Sequence, residues 1–293
     1  MGGSVHHYKS KELFYYLMEE LHMILIVAST KDLAGVNIAQ QIMQHYDFEE
    51  SSESFHQNPV YLKRIRSREV KLLFINEEII DTQFITDFFK SELLIFVSRH
   101  SSVSGIPTLS VHTPGNLGKA EFGGVPKKVS VSPASAMKDT LVEMTKEKEE
   151  MKLDYEISYE CTHHGPSLDV PAMFTELGSS QREWKDLKAA EAVAHATMAA
   201  ISKSSSFPAV LGIGGPHYNK KFTKMALTTE KAFGHIIPKY AISVVDAEMI
   251  RQCAERTVEN VETVVLDWKG IRGEYKERLV KIVDEIGLSI LKV

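Results

Sequence analysis

Short apolar runs recur along the chain, separated by stretches whose hydrophobic residues repeat at helical spacing. Residues 23–29 (MILIVAS) and 93–97 (LLIFV) are such runs, and 71–75 (KLLFI) and 209–213 (AVLGI) read as further strands. Unbroken apolarity over so few residues suits a strand covered on both faces, as in a parallel sheet. Residues 32–45 follow the first run with Val36, Ile38, Ala39, Ile42 and Met43 placed for a helix. Further helices are predicted over 82–89, 133–152 and 246–260, with a closing one over 273–286. Ser179 and Ser180 can cap a long helix running through Ser202. Shorter strands are predicted at 108–111, 154–161, 171–177 and 261–266. The alternation predicts a three-layer α/β fold with a mixed sheet.

Residues 113–126 hold Pro114, Gly115, Gly118, Gly123, Gly124 and Pro126, which makes the stretch a loop. A sub-boundary near residue 130 is compatible with it; otherwise 23–293 reads as one α/β catalytic domain. Residues 1–22 read as an N-terminal extension. Leu13, Phe14, Leu17, Met18 and Leu21 give it an amphipathic helix, without the features of a secretory signal.

Composition narrows the setting. Of 293 residues, 43% are hydrophobic, enough for a large core, and 25% are charged. Two cysteines cannot make a disulfide framework, so an intracellular, cytoplasmic location is expected. No apolar run approaches the roughly 20 residues that span a bilayer, so no membrane association is expected. A net charge of −5 does not advertise a nucleic-acid binder, though a local basic stripe remains compatible with it.

The chemistry concentrates in the histidines, of which there are twelve. His100, His112, His163, His164, His217 and His235 fall at predicted strand ends or in Gly/Pro turns. In open α/β sheets, ligand sites gather at the carboxyl ends of strands. A lone core histidine is the usual fate, and His195 on its helix is read that way. Six coincidental placements are a poorer explanation than a site. Imidazole is the commonest zinc ligand, and Glu160 and Glu176 at neighbouring strand ends can ligate, orient an imidazole or act as base. No short zinc signature is present, so metal-free acid–base chemistry stays open at this stage. Cys161 and the serines beside His100 are weaker nucleophile candidates. Gly214 and Gly215 let backbone approach a substrate. Arg99, Tyr218, Lys221 and Lys239 are candidate contacts for phosphates or a terminal base.

The ordered motifs SRHSS (98–102), HTPGN (112–116), ECTHHGP (160–166), TELGSS (175–180), GIGGPHY (212–218) and GHIIPK (234–239) resemble the archaeal and plant D-aminoacyl-tRNA deacylase family. The resemblance runs from Met23 to the C-terminus and departs only in the extension. It implies a phosphorylase/hydrolase-like α/β fold, hydrolysis of the ester of D-aminoacyl-tRNA, and zinc as the metal. Aminoacylated tRNA is the expected partner, and the enzyme is expected to be a monomer. It does not assign individual ligands. From chemistry, His112, His163, His217 and Glu176 are expected to hold zinc. Glu160 or His164 is the expected base and His100 or His235 the expected acid, with Gly214 and Gly215 N–H groups on the oxyanion. A zinc peptidase or amidohydrolase acting on small acylated compounds would use the same site.

Overall fold

The computed structural model describes residues 23–293, so the expected N-terminal helix lies outside the described residues. β1 (Met23–Ser29) runs between β4 (Arg68–Ile75) and β5 (Leu93–Arg99), parallel to both. β8 (Ala172–Gly178) continues the parallel set beyond β5. The hairpin of β2 (Glu49–Phe55) and β3 (Asn58–Ile65) adds antiparallel strands at one edge. At the other, β6 (Thr108–His112) is antiparallel to β8 and parallel to β7 (Glu156–Tyr159). The result is a mixed eight-stranded sheet in the order β2-β3-β4-β1-β5-β8-β6-β7.

Alternate residues of a strand face opposite sides, so each inner strand supplies two cores. Ile24, Ile26, Ile95 and Val97 meet α1 (Leu33–His45), α3 (Ala134–Met151) and α5 (Leu187–Ser202). Leu25, Val27, Phe96 and Phe174 meet Ile79 of a 3-10 turn and Ile85 of α2 (Ile85–Phe88). Burying each such side chain contributes roughly 1.5–3 kcal/mol. Asp32 starts α1 by accepting the Gly35 N–H at 3.0 Å.

The α/β alternation and the mixed sheet match the pattern read from the sequence. The strands after residue 209, however, form a second sheet that the pattern did not separate. β9 (Ala209–Ile213), β10 (Ala232–Ile237), β11 (Val261–Leu266) and β12 (Ser289–Lys292) run parallel in the order β10-β9-β11-β12. α6 (Lys220–Thr228), α7 (Ala247–Glu255) and α8 (Gly273–Glu285) accompany it. The predicted helix through Ser202 breaks into α4 (Gln181–Trp184) and α5, because Asp186 recaps the chain, accepting from Lys188 and Ala189 N–H at 3.1 Å each. Among the described residues, no helix is long and apolar enough to cross a membrane.

The two sheets meet along residues 160–164. Cys161 N–H donates to the His217 carbonyl at 3.0 Å and Thr162 N–H to the Ile236 carbonyl at 2.9 Å. On the other side, His163 bridges to Pro114, just beyond β6. The ECTHHGP segment is therefore a seam stitched to both sheets.

Candidate active site

Glu176 stands mid-strand on β8, level with Ser98 of β5 and Ser110 of β6. Its neighbours come from both directions, because β5 runs with β8 and β6 against it. His100 is tied to the Leu177 carbonyl at 2.9 Å, whereas His112 lies level with Phe174. The site thus forms on a face of the sheet rather than along one row of carboxyl ends. Gly178 allows the approach of the β5 end: a Cβ there would lie 2.5 Å from the His100 Cβ.

Two buried carboxylates anchor the centre. Glu160 and Glu176 are 2% and 4% exposed, and charge at that depth needs compensation. His100 Nδ1 lies 3.0 Å from Glu160 Oε1 and 3.6 Å from Glu176 Oε2. His217 Nε2 reaches Glu160 Oε2 at 2.9 Å, and the Ser98 hydroxyl donates to Glu176 Oε1 at 2.6 Å. Burial opposes charge on His100, but Glu160 and Glu176 outweigh it and raise the imidazole to about 10. Burial likewise opposes charge on His217, while Cys161 and Glu160 raise it to about 10. Burial pushes Glu160 upward, and His100 with His217 overcome it and hold the carboxyl well below its usual range. Both histidines are therefore cations at neutral pH, and Glu160 is an anion between them.

A second group of imidazoles lies beside this one. One donor atom each from His112, His163 and His164 lie within 4.8 Å of one another. Consecutive residues ordinarily point to opposite sides of an extended chain. His164 has φ of 41°, a left-handed turn unusual for a non-glycine residue, and it brings both imidazoles onto His112. Ring centroids are 4.4 Å apart for His112 and His163, and 4.2 Å for His163 and His164. Phe174 stacks on His112 at 4.9 Å and fixes its plane.

The nitrogens divide consistently. His163 Nδ1 donates to the Cys161 carbonyl at 2.8 Å, and His164 Nδ1 to the Gly165 carbonyl at 2.7 Å. His112 Nδ1 lies 3.3 Å from the Thr113 carbonyl, and its buried Nε2 has no hydrogen-bond partner. A carbonyl can only accept, so each Nδ1 carries the proton and each Nε2 presents a bare lone pair. Metal-ligating histidines are oriented this way. Burial, with His164 and His112 adding to it, keeps His163 far below its ordinary value. Burial and His112 push His164 down to about 4. This donor set fits a divalent transition metal such as zinc.

Donor atoms of Cys161, His163 and His217 lie equally close together, so His217 stays among the candidate ligands. His164, expected to act as base, joins His112 and His163. His217 has both nitrogens engaged, Nε2 by Glu160 and Nδ1 by Cys161 Sγ at 3.2 Å and Tyr240 Oη at 3.1 Å. Glu176 stays near, 3.8 Å from His112 Nε2. His235 is not part of the cluster: it is fully buried, its Nδ1 3.0 Å from Thr162 Oγ1 and its Nε2 3.1 Å from the Arg256 carbonyl. Gly214 N–H is taken by the Ile237 carbonyl at 2.8 Å and is not free for an oxyanion, while the Gly215 carbonyl accepts from Lys239 N–H at 2.9 Å. Lys221 is paired with Asp267, and Arg99 with Glu78 at 3.1 Å. Tyr218 packs edge-on against His100 at 5.0 Å.

Above His163 and His164 opens a cleft of ≈ 650 Å³. Leu117, Phe122, Ala241 and Val244 line it, with Lys119, Lys127 and Tyr240 also facing it. The Gly- and Pro-rich stretch 113–126, legible in the sequence as a loop and a candidate active-site loop, forms one wall of this cleft. The signal was present in Lys119 and Phe122, a cation and an exposed aromatic within a turn-rich segment.

A profile of the D-aminoacyl-tRNA deacylase family matches residues 87–291. The D-aminoacyl-tRNA deacylase of Pyrococcus furiosus is 39% identical over 277 residues, spanning 92% of this chain and all of that protein. That of Thermococcus kodakarensis is 39% identical, spanning 91% and 99%. A crystal structure of a conserved protein of unknown function superposes with a TM-score of 0.82 at 31% identity, covering 92% of this chain and 95% of that one.

Proposed function

Because the chain belongs to the D-aminoacyl-tRNA deacylase family, we infer that this cluster hydrolyses the ester joining a D-amino acid to the ribose of tRNA, releasing both. The observation that carries the site assignment is the trio of Nε2 lone pairs, each fixed by a carbonyl on its Nδ1. Zinc held by His112, His163 and His164 would supply Lewis-acid activation of a water and of the ester carbonyl.

The chain's own groups handle the protons. Glu160, an anion at neutral pH, takes the proton lost by the attacking water. His217, a cation half-exposed beside Tyr240, gives one to the departing ribose oxygen. The two are hydrogen-bonded at 2.9 Å, so the proton passes from Glu160 back to His217 and resets the pair. His100 offsets the second carboxylate and keeps Glu160 in place. Both enantiomers present the same ester, so chiral choice rests on the cleft walls rather than on the catalytic groups. Phe122 is placed to stack the terminal base, and Lys119 to meet phosphate. Two free, buried cysteines accord with a cytoplasmic site of action.

Single-turnover deacylation of matched D- and L-tyrosyl-tRNA, before and after chelation and with zinc restored, tests the proposal. D-selective turnover that is lost on chelation and regained with zinc is expected. D-selective turnover indifferent to chelation would return the three histidines to other work. No turnover of either ester by folded, zinc-loaded protein would refute the assignment of substrate.

A further inference from the structure

Away from the cleft, where α1 packs on α5, three metal-binding side chains converge. His45 lies in the last turn of α1, and Glu191 and His195 lie one turn apart on the same face of α5. One donor atom from each lies within 4.8 Å of the other two. His45 Nε2 stands 3.6 Å from Glu191 Oε1, and His195 Nε2 stands 3.7 Å from the same oxygen. The imidazoles meet edge-on with centroids 5.2 Å apart.

These separations are too long for hydrogen bonds, which run about 2.7–3.2 Å between nitrogen and oxygen. They are close to what a shared cation demands. Ligand atoms bonded to tetrahedral zinc at about 2.0–2.1 Å lie roughly 3.3 Å from one another. Closing the two gaps to Glu191 Oε1 by a few tenths of an ångström is within reach of side chains 23–31% exposed. Tyr46 supplies the orientation. Its hydroxyl is 2.7 Å from His195 Nδ1, and with the Nδ1 proton on that bond the Nε2 lone pair faces the Glu191 carboxylate. Glu143 and Glu147 of α3 add negative potential around Tyr46.

We propose that His45, Glu191 and His195 form a second, surface zinc site that clamps α1 to α5, distinct from the buried cluster. Two imidazoles and one carboxylate suit a borderline divalent ion, with the fourth position left to water. The site is half-exposed and exchangeable. It stands independently of the deacylase reading, since none of its residues touches the cleft.

Full-length protein, stripped with chelator and dialysed, is titrated with zinc chloride by calorimetry and by competition with a chromophoric chelator. Wild type is expected to bind one more equivalent than H45Q/H195Q. Y46F, which keeps all three ligands but loses the orienting hydroxyl, is expected to weaken that equivalent about 10- to 100-fold. Circular dichroism checks that each variant is folded. Zinc added to wild type already loaded at its tighter site should raise the unfolding temperature, and this increment should vanish in H45Q/H195Q. D-aminoacyl-tRNA hydrolysis by the double variant should stay at the wild-type level. Equal stoichiometry in wild type and H45Q/H195Q, with the same zinc-dependent rise in unfolding temperature, would overturn the proposal and leave an ordinary ion-pair cluster.

Discussion

His235 offers the sharpest separation of structure from catalysis. It is fully buried, and its tautomer follows from its partners. The Arg256 carbonyl can only accept, so Nε2 carries the proton and Nδ1 accepts from Thr162 Oγ1. Thr162 in turn accepts the Ile236 N–H at 3.2 Å, completing a chain that needs a neutral imidazole. Burial, aided by the Arg256 guanidinium, pushes His235 down to about 4 against the pull of the Arg256 and Ser130 carbonyls. Between pH 6.5 and 4 the unfolded chain therefore binds a proton that the folded chain refuses. The stability this group contributes is complete above pH 6.5 and is lost as pH falls towards 4. At about 1.36 kcal/mol per unit, the full loss is on the order of 3 kcal/mol, and by pH 4.5 it is roughly 2.5 kcal/mol.

His235→Gln removes the titrating group while leaving an amide to donate to Arg256. At pH 7.5 the variant should be less stable by about 1–3 kcal/mol, the cost of leaving the Thr162 hydroxyl badly paired. Other groups titrate alike in both proteins and cancel in the difference. The gap should therefore shrink by roughly 2.5 kcal/mol on going to pH 4.5, where the variant draws level with the wild type. Urea unfolding at four pH values, followed by fluorescence and circular dichroism together, measures it. A difference independent of pH would refute the buried neutral imidazole. D-specific turnover by folded variant at pH 7.5 should remain within a few fold of wild type; a loss above a hundredfold would restore His235 as a catalytic acid.

Three further outcomes follow from the site. Alanine at His163 should lower bound zinc, read by elemental analysis, and reduce single-turnover deacylation at least a hundredfold, with circular dichroism unchanged. Glu160→Gln should lower the rate of the chemical step by about 10²–10⁴ while KM for D-tyrosyl-tRNA moves only a few fold, as expected for loss of a proton acceptor. Lys119→Glu should raise KM with kcat preserved and flatten the salt dependence of tRNA binding by about one phosphate contact.

Much of the fold was legible because its inner strands advertise themselves. LLIFV in β5 and MILIVAS in β1 are apolar without a break, and both prove to be covered on two faces. What stayed hidden had no such pattern. β2 reads EESSESF, an edge strand whose only buried side chain is Phe55, so no alternation marks it. The division into two sheets depends on which strands pair, and β9 is no different in composition from β1. Asp186 split a helix that its flanking alanines seemed to continue, because a carboxylate accepting two backbone N–H groups restarts the chain.

The site shows where pattern stops being informative. Clustering was readable: five of the six histidines picked out by strand ends and turns do converge around Glu160 and Glu176. Roles were not, because a histidine's role is decided by what its second nitrogen meets. His112 and His235 look alike in sequence, each a histidine in a short, mostly apolar strand segment beside a Gly- or Pro-containing turn. Yet His112 keeps a bare Nε2 facing the cluster, while the same atom of His235 is spent on Arg256, a residue 21 positions away. His163 and His164 should diverge as neighbours on a strand, and only the left-handed turn at His164 makes them act together. That turn is held by the Gly115 N–H, which donates to the His164 carbonyl at 2.7 Å across the seam between the sheets. The chemistry therefore depends on a contact between segments 49 residues apart, and it is at such contacts, rather than in the motifs they join, that ligand and acid–base roles are settled.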